Sequence, residues 1–163
     1  MLETTLNIKE PGLNLLPPGV ERYTVEGGGL TGIQFLPDDE IEIINVEGNQ
    51  ICEISVFNKD GKSDLSILGL KEIKDNSEIK KILFKKDETS LQALLQLKKR
   101  NLNIEKSKSS LIFDKETKVG ENIKLKSKDK CYCIIAAPGN EMMIYEQNPS
   151  TELTVMIKRS IIK

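Results

Sequence analysis

The sequence predicts a mainly β fold, an antiparallel barrel or sandwich with one or two helices inserted in the middle, with an α+β arrangement as second choice. Three observations lead there. Short β-prone segments separated by Pro, Gly, Asn and Asp turns fill residues 26–69 and return in residues 111–160. The stretch between them, residues 70–110, is charge-rich and carries leucines at helical spacing. Hydrophobic content is 38% but aromatic content only 4% with no Trp, so the core must be built from Ile, Leu and Val. A chain of 163 residues suits a single β-rich domain, and chains of this size hide roughly two-thirds of their unfolded surface.

The elements follow in order. Residues 1–25, with Pro11, Gly12, Pro17, Pro18 and Gly19, read as an extended arm, because Pro fixes its own backbone and biases its neighbour away from helix. Leu30 to Leu36 is a strand with Ile33 and Phe35 on one face, closed by the Pro37-Asp38-Asp39 turn. Glu40 to Val46 is a second strand whose apolar parity changes between Ile43 and Ile44, which calls for a bulge or burial on both sides. Gly48-Asn49 is the turn of a hairpin into Gln50 to Phe57, with Gln50, Cys52, Ile54 and Val56 on one face and Ile51, Glu53, Ser55 and Phe57 on the other. Asn58 to Gly61 is a further turn.

Lys71 to Lys86 suits a short helix with coil. A firmer helix covers Ser90 to Arg100, with Thr89 and Gln92 as a capping box and Lys98, Lys99 and Arg100 at the negative end of the dipole. Leu91, Leu94, Leu95 and Leu102 keep helical spacing and predict a face packed on the sheet. Leu111 to Phe113 and Asn122 to Leu125 read as a weaker hairpin through Gly120. Cys131 to Ala137 is a nearly continuous apolar strand ending at Pro138-Gly139-Asn140, and Leu153, Val155 and Ile157 mark a closing strand.

Histidine is absent, which removes Ser-His-Asp triads, His-based metal helices and cupin-type metal sites. Acid or base chemistry would fall to carboxylates, Lys, Cys or Tyr. Net charge is −1, yet residues 1–69 carry 4 basic and 12 acidic side chains while residues 70–163 carry 20 and 13. Lys124, Lys126, Lys128 and Lys130 could form an anion-binding face, but alternating lysines are the usual solvated side of a strand, and Arg is scarce. No nucleic-acid partner is expected. No apolar run nears the roughly 20 residues of a membrane span and no signal layout opens the chain, so a cytoplasmic protein without a membrane partner is expected.

Two side-chain groups can carry chemistry. Glu47, Asn49, Gln50 and Glu53 could grip a small polar amine or a guanidine-like ligand, because carboxylates pair with the cation and amides supply oriented donors and acceptors. The same residues also fit a hairpin turn with soluble flanks. Cys131 and Cys133, two apart on a strand, share a face and cannot easily bridge, because an extended backbone sets their Cα atoms near the disulfide limit. With Cys52 they could hold zinc, completed by a carboxylate, or they could be ordinary core thiols. A cysteine nucleophile would lack its His base. Gly27-Gly28-Gly29 is no phosphate loop, since neither Lys-Ser/Thr nor a helix follows; it suits a hinge or a close backbone contact.

Gly28 to Gln34, Asp39 to Asn45, Glu47-Gly48-Asn49-Gln50 and Ala136-Ala137-Pro138-Gly139 resemble the urea-carboxylase-associated family, in particular the N-terminal module that precedes folate-dependent aminomethyltransferase domains in bacteria. The likeness covers residues 28–69 and 131–158. It implies an accessory or ligand-binding module in one-carbon or methylated-amine metabolism, partnered by an aminomethyltransferase domain or subunit, with folate entering only through that partner. The other branch of the resemblance implies a metal-assisted deiminase or hydrolase of a guanidine- or urea-derived substrate. A structural or oligomerising β-domain is the third reading.

Overall fold

The computed structural model describes residues 8–9, 19–71, 78–85, 87–139 and 151–160. The strands are β1 (Ile8–Lys9), β2 (Val20–Val25), β3 (Leu30–Phe35), β4 (Glu40–Asn45), β5 (Cys52–Phe57), β6 (Ser109–Phe113), β7 (Glu121–Lys126), β8 (Cys131–Ala136) and β9 (Leu153–Lys158). They form two sheets, ordered β1-β3-β8-β5-β6 and β2-β9-β4-β7. All pairings are antiparallel except the short β1 with β3. The sheets do not close into a barrel. The fold is a β-sandwich, as the β-rich reading expected, with helices α1 (Glu78–Leu83) and α2 (Glu88–Lys99) between β5 and β6.

Hydrophobic burial explains this layering. Ile33, Phe35, Ile54, Val56 and Ile135 from the first sheet meet Ile41, Ile43, Val155 and Ile157 from the second in one continuous core. The outer face of the first sheet, with Phe57, Ile134 and Ala136, is covered by Ile79 and Leu83 of α1 and Ala93 and Leu97 of α2. Each fully buried side chain of this kind is worth about 1.5–3 kcal/mol. Covered on both faces, β5 is buried at every position and β8 at all but the half-buried Tyr132; β7, with only its inner side covered, alternates Ile123 and Leu125 with exposed Lys124 and Lys126. Those lysines lie opposite Glu42 and Glu40 of β4, so they are the solvated face of an edge strand, which also discourages edge-to-edge pairing.

Several local expectations give way. β4 and β5 are not a hairpin: Gly48-Asn49 carries the chain from one sheet to the other. Beside β4, β5 would lie in the sheet with a solvated face, and Phe57, fully buried here, would lose its helical cover. β6 and β7 likewise lie in different sheets, so Gly120 closes no hairpin. Residues 20–25 are a strand instead of part of an arm. Pro11 to Pro18 and Asn140 lie outside the described residues.

The α2 N-cap is Asp87, whose carboxylate accepts the Ser90 N–H at 2.7 Å, in place of Thr89. Leu91 and Leu95 are 52% and 58% exposed, while Leu94 and Leu102 of the expected stripe pack with Ala93 and Leu97. A 3₁₀ turn, Leu65–Leu68, inserts three apolar side chains into the inner core. Among the described residues no helix is long and apolar enough to cross a membrane.

Candidate functional site

The two ends of the sandwich differ in chemistry, and their separation is set by the six-residue strands, roughly 20 Å. At one end β4 leads into Val46 and Glu47, β2 leads into Glu26 and Gly27, and β9 is preceded by Thr151 and Glu152. These six residues line an open groove of about 470 Å³. Three carboxylates therefore meet beside one apolar side chain.

Gln50 builds the wall behind the groove. Its amide nitrogen donates to the Pro138 carbonyl at 2.8 Å and to that of Ile51 at 2.9 Å, while its oxygen accepts the Thr151 N–H at 2.7 Å. One buried side chain thus ties the segments after β4, after β8 and before β9. Asn45 donates to the Gln50 carbonyl at 2.8 Å. Two oxygens in this wall, Asn45 Oδ1 and Thr151 Oγ1, are buried with no hydrogen-bond partner among the described residues. A buried polar atom without a partner is costly, and a bound polar molecule would relieve the cost.

The four residues singled out from sequence separate in space. Glu47 lines the groove, and Gln50 stands behind it as a fully bonded positioning residue. Asn49 is exposed, held at φ 57° while its N–H donates to the Thr117 carbonyl at 2.7 Å. Glu53 is buried on the opposite side of β5, accepting the Glu78 N–H at 2.9 Å and the Ser109 hydroxyl, so it anchors α1 to the first sheet. Glu26, Val46, Thr151 and Glu152 were missed. Glu26 borders the triple glycine, whose Gly28 N–H donates to Ala137 O at 2.7 Å in the close backbone contact expected there. No sequence signal brings Glu26 to Glu152.

The three cysteines do not converge. Cys131 and Cys133 have their sulfurs 3.7 Å apart. Val56 is the residue of β5 opposite Cys133, so Cys52 lies four residues, roughly 13 Å, along the sheet. Among the described residues no group of three metal-ligating side chains is assembled, and these donors do not fit zinc. Burial pushes the Cys52 thiol far up, as it does Cys133; a hydrogen bond from Cys133 holds Cys131 below the usual thiol value against its burial.

The other end is closed by a buried ionic lock. Arg159 follows β9 and reaches Glu21 with Nε at 2.6 Å and a terminal nitrogen at 3.0 Å, while its other terminal nitrogen donates to Asp39 at 2.7 Å and to the Gln34 carbonyl at 2.8 Å. Burial works to lower the Arg159 pKa, and the bonds to Glu21 and Asp39 more than reverse it. Tyr23 donates to Glu21 at 2.5 Å. Burial, then that bond to a carboxylate, pushes the Tyr23 phenol up to about 12. A raised phenol pKa means the fold favours the neutral form, so the stabilisation is whole below the ordinary value near 10 and is lost between pH 10 and 12. We expect tyrosinate absorbance to show a tyrosine ionising near pH 12, with stability falling across that window; Tyr23→Phe should remove both. An ordinary titration near pH 10 for every tyrosine would contradict the bond to Glu21.

The chain is 34% identical over 157 residues, 96% of its length, to the trimethylamine-oxide aldolase of Ruegeria pomeroyi. It spans 20% of the length of that relative. No family model matches the chain.

Proposed function

We propose that this chain is a β-sandwich module of methylated-amine metabolism, which binds a small methylated amine or its N-oxide in the groove and works beside an aminomethyltransferase-type domain or subunit that carries folate. The observation that carries the reading is the 34% identity extending over nearly the whole chain to a protein named for trimethylamine oxide. The groove adds chemical support. Glu26, Glu47 and Glu152 offer negative charge to an alkylammonium centre, and Val46 offers a contact for methyl groups.

Calorimetric titration with trimethylamine N-oxide, trimethylamine and dimethylamine tests this, with tert-butanol as the neutral isostere. The amines and the N-oxide should bind and tert-butanol should not. Changing Glu26, Glu47 and Glu152 together to Gln should weaken binding about ten-fold, the equivalent of 1.4 kcal/mol, and the loss should shrink at high salt because the carboxylates are at the surface. Equal binding of tert-butanol, or an unaffected triple variant, would remove the groove from the reading.

A further inference from the structure

We propose that Cys131 and Cys133 are a redox-active dithiol, which a peroxide closes reversibly to a disulfide within β8. The pair stands apart from the groove and does not depend on the amine reading. Both side chains point into the inner core from the same face of one strand, and their sulfurs are already 3.7 Å apart. Residues i and i+2 of an extended strand have Cα atoms roughly 6.4–6.8 Å apart, at the upper edge of the disulfide range. Closure therefore has to compress the strand. A disulfide formed under such strain is readily reduced, the property of a switch and not of a structural staple.

The chemistry needs only the peroxide. The Cys131 sulfur attacks one peroxide oxygen, the O–O bond breaks, and Cys131 sulfenic acid and one water are formed. The Cys133 sulfur then attacks the sulfenic sulfur, the S–S bond forms, and the oxygen leaves with the Cys133 proton as a second water. Two thiols lose two electrons and two protons, and the peroxide takes both. Cys52, roughly 13 Å along the sheet, cannot serve as the resolving thiol. Both thiols are buried, but β8 begins directly after exposed Lys128, Asp129 and Lys130, so opening of the first residues of the strand gives a peroxide access.

Closure would be felt at the ionic lock. Cys131 contacts the Ser127 hydroxyl at 3.6 Å, and Ser127 exchanges backbone hydrogen bonds with Asp38 and Asp39, the second of which holds Arg159. Pulling Cys131 along its strand draws on the same turn. Oxidation should therefore lower the melting temperature, and dithiothreitol should restore it.

The test treats the folded protein with hydrogen peroxide and reads its intact mass, a non-reducing peptide map and Tm. We expect loss of two hydrogen atoms, an internal link between Cys131 and Cys133, a Cys52 that alkylates freely after unfolding, and a Tm drop reversed by reductant. Cys52→Ser should behave as wild type, and Cys133→Ser should accumulate a sulfenic acid at Cys131 that dimedone traps. Should Cys133→Ser fail to fold, phenylarsine oxide on the unaltered protein reads the same pair: one arsenical bridging Cys131 and Cys133 supports the proposal, and none overturns it. A folded protein that keeps its mass under a peroxide dose that oxidises the unfolded chain overturns it too, as does a link through Cys52.

Discussion

Arg159→Ala should cost about 3–5 kcal/mol of stability, measured by urea unfolding and linear extrapolation. The size follows from what would be left behind. Glu21 is 2% exposed and Asp39 fully buried, and the guanidinium bonds both carboxylates. Without it two carboxylates remain in the core with their desolvation cost and lose the bonded guanidinium. A small domain has about 5–15 kcal/mol in total, so the variant would sit near the edge of folding. Arg159→Lys should recover only part of the loss, because an ammonium keeps the charge but cannot bond Glu21 through two nitrogens while also reaching Asp39 and the Gln34 carbonyl. Neutralising Asp39 instead would not mend the variant. Its carboxylate also accepts the backbone N–H of Leu36 at 2.8 Å through one oxygen and of Ser160 at 3.0 Å through the other, and an amide in its place could keep only one of these donors. A loss below about 1 kcal/mol for Arg159→Ala, the value of an exposed ion pair, would mean that water reaches the lock in solution.

That lock also marks where the sequence stopped being legible. Strand positions 30–36, 40–46 and 50–57 could be read because β-branched and apolar residues recur there between turn residues, and the nearly continuous apolar run at Cys131 to Ala137 reads as a strand, which the structure covers on both sides. The strand Val20–Val25 was hidden because one of its inward positions is Glu21, whose charge is answered 138 residues later by Arg159. No window of local sequence contains that partner. The Gly48-Asn49 turn was recognised as a turn, with both residues at positive φ, but the same turn chemistry serves a strand that folds back and one that crosses to the facing sheet. What decides is whether the next strand needs cover on one face or two, and that depends on helices supplied by residues 78–99.

The groove was half visible for a related reason. Glu47 and Gln50 lie in the polar cluster around the Gly48-Asn49 turn, but strand alternation and the crossover send Gln50 inward and Glu53 to the helical side. The remaining carboxylates arrive from Glu26 and Glu152, each next to a strand end. Side chains at strand ends are gathered by sheet topology, which the pattern of apolar residues does not encode.

Gly61→Ala should cost about 2–5 kcal/mol, and Gly69→Ala supplies the comparison that explains why. Both glycines have left-handed backbones, φ 80° and 71°, so each alanine meets the roughly 1–2 kcal/mol penalty of that conformation. Their surroundings differ. A Cβ at Gly69 meets nothing within 4 Å, whereas a Cβ at Gly61 would lie 1.8 Å from the Asn101 carbonyl oxygen. That oxygen belongs to backbone just past α2, where Asn101 is itself left-handed at φ 57° and the Asn103 N–H donates to the Gly61 carbonyl at 3.0 Å. The turn cannot retreat either: Asn58 Oδ1 accepts the N–H groups of Asp60 and Lys62 at 2.9 and 3.0 Å, and the Gly61 N–H returns to the Asn58 carbonyl at 2.9 Å. The overpacking therefore adds about 1–3 kcal/mol at Gly61 alone. Urea midpoints of the two variants measure the difference directly, and equal losses would mean that the segment after α2 moves aside instead of resisting.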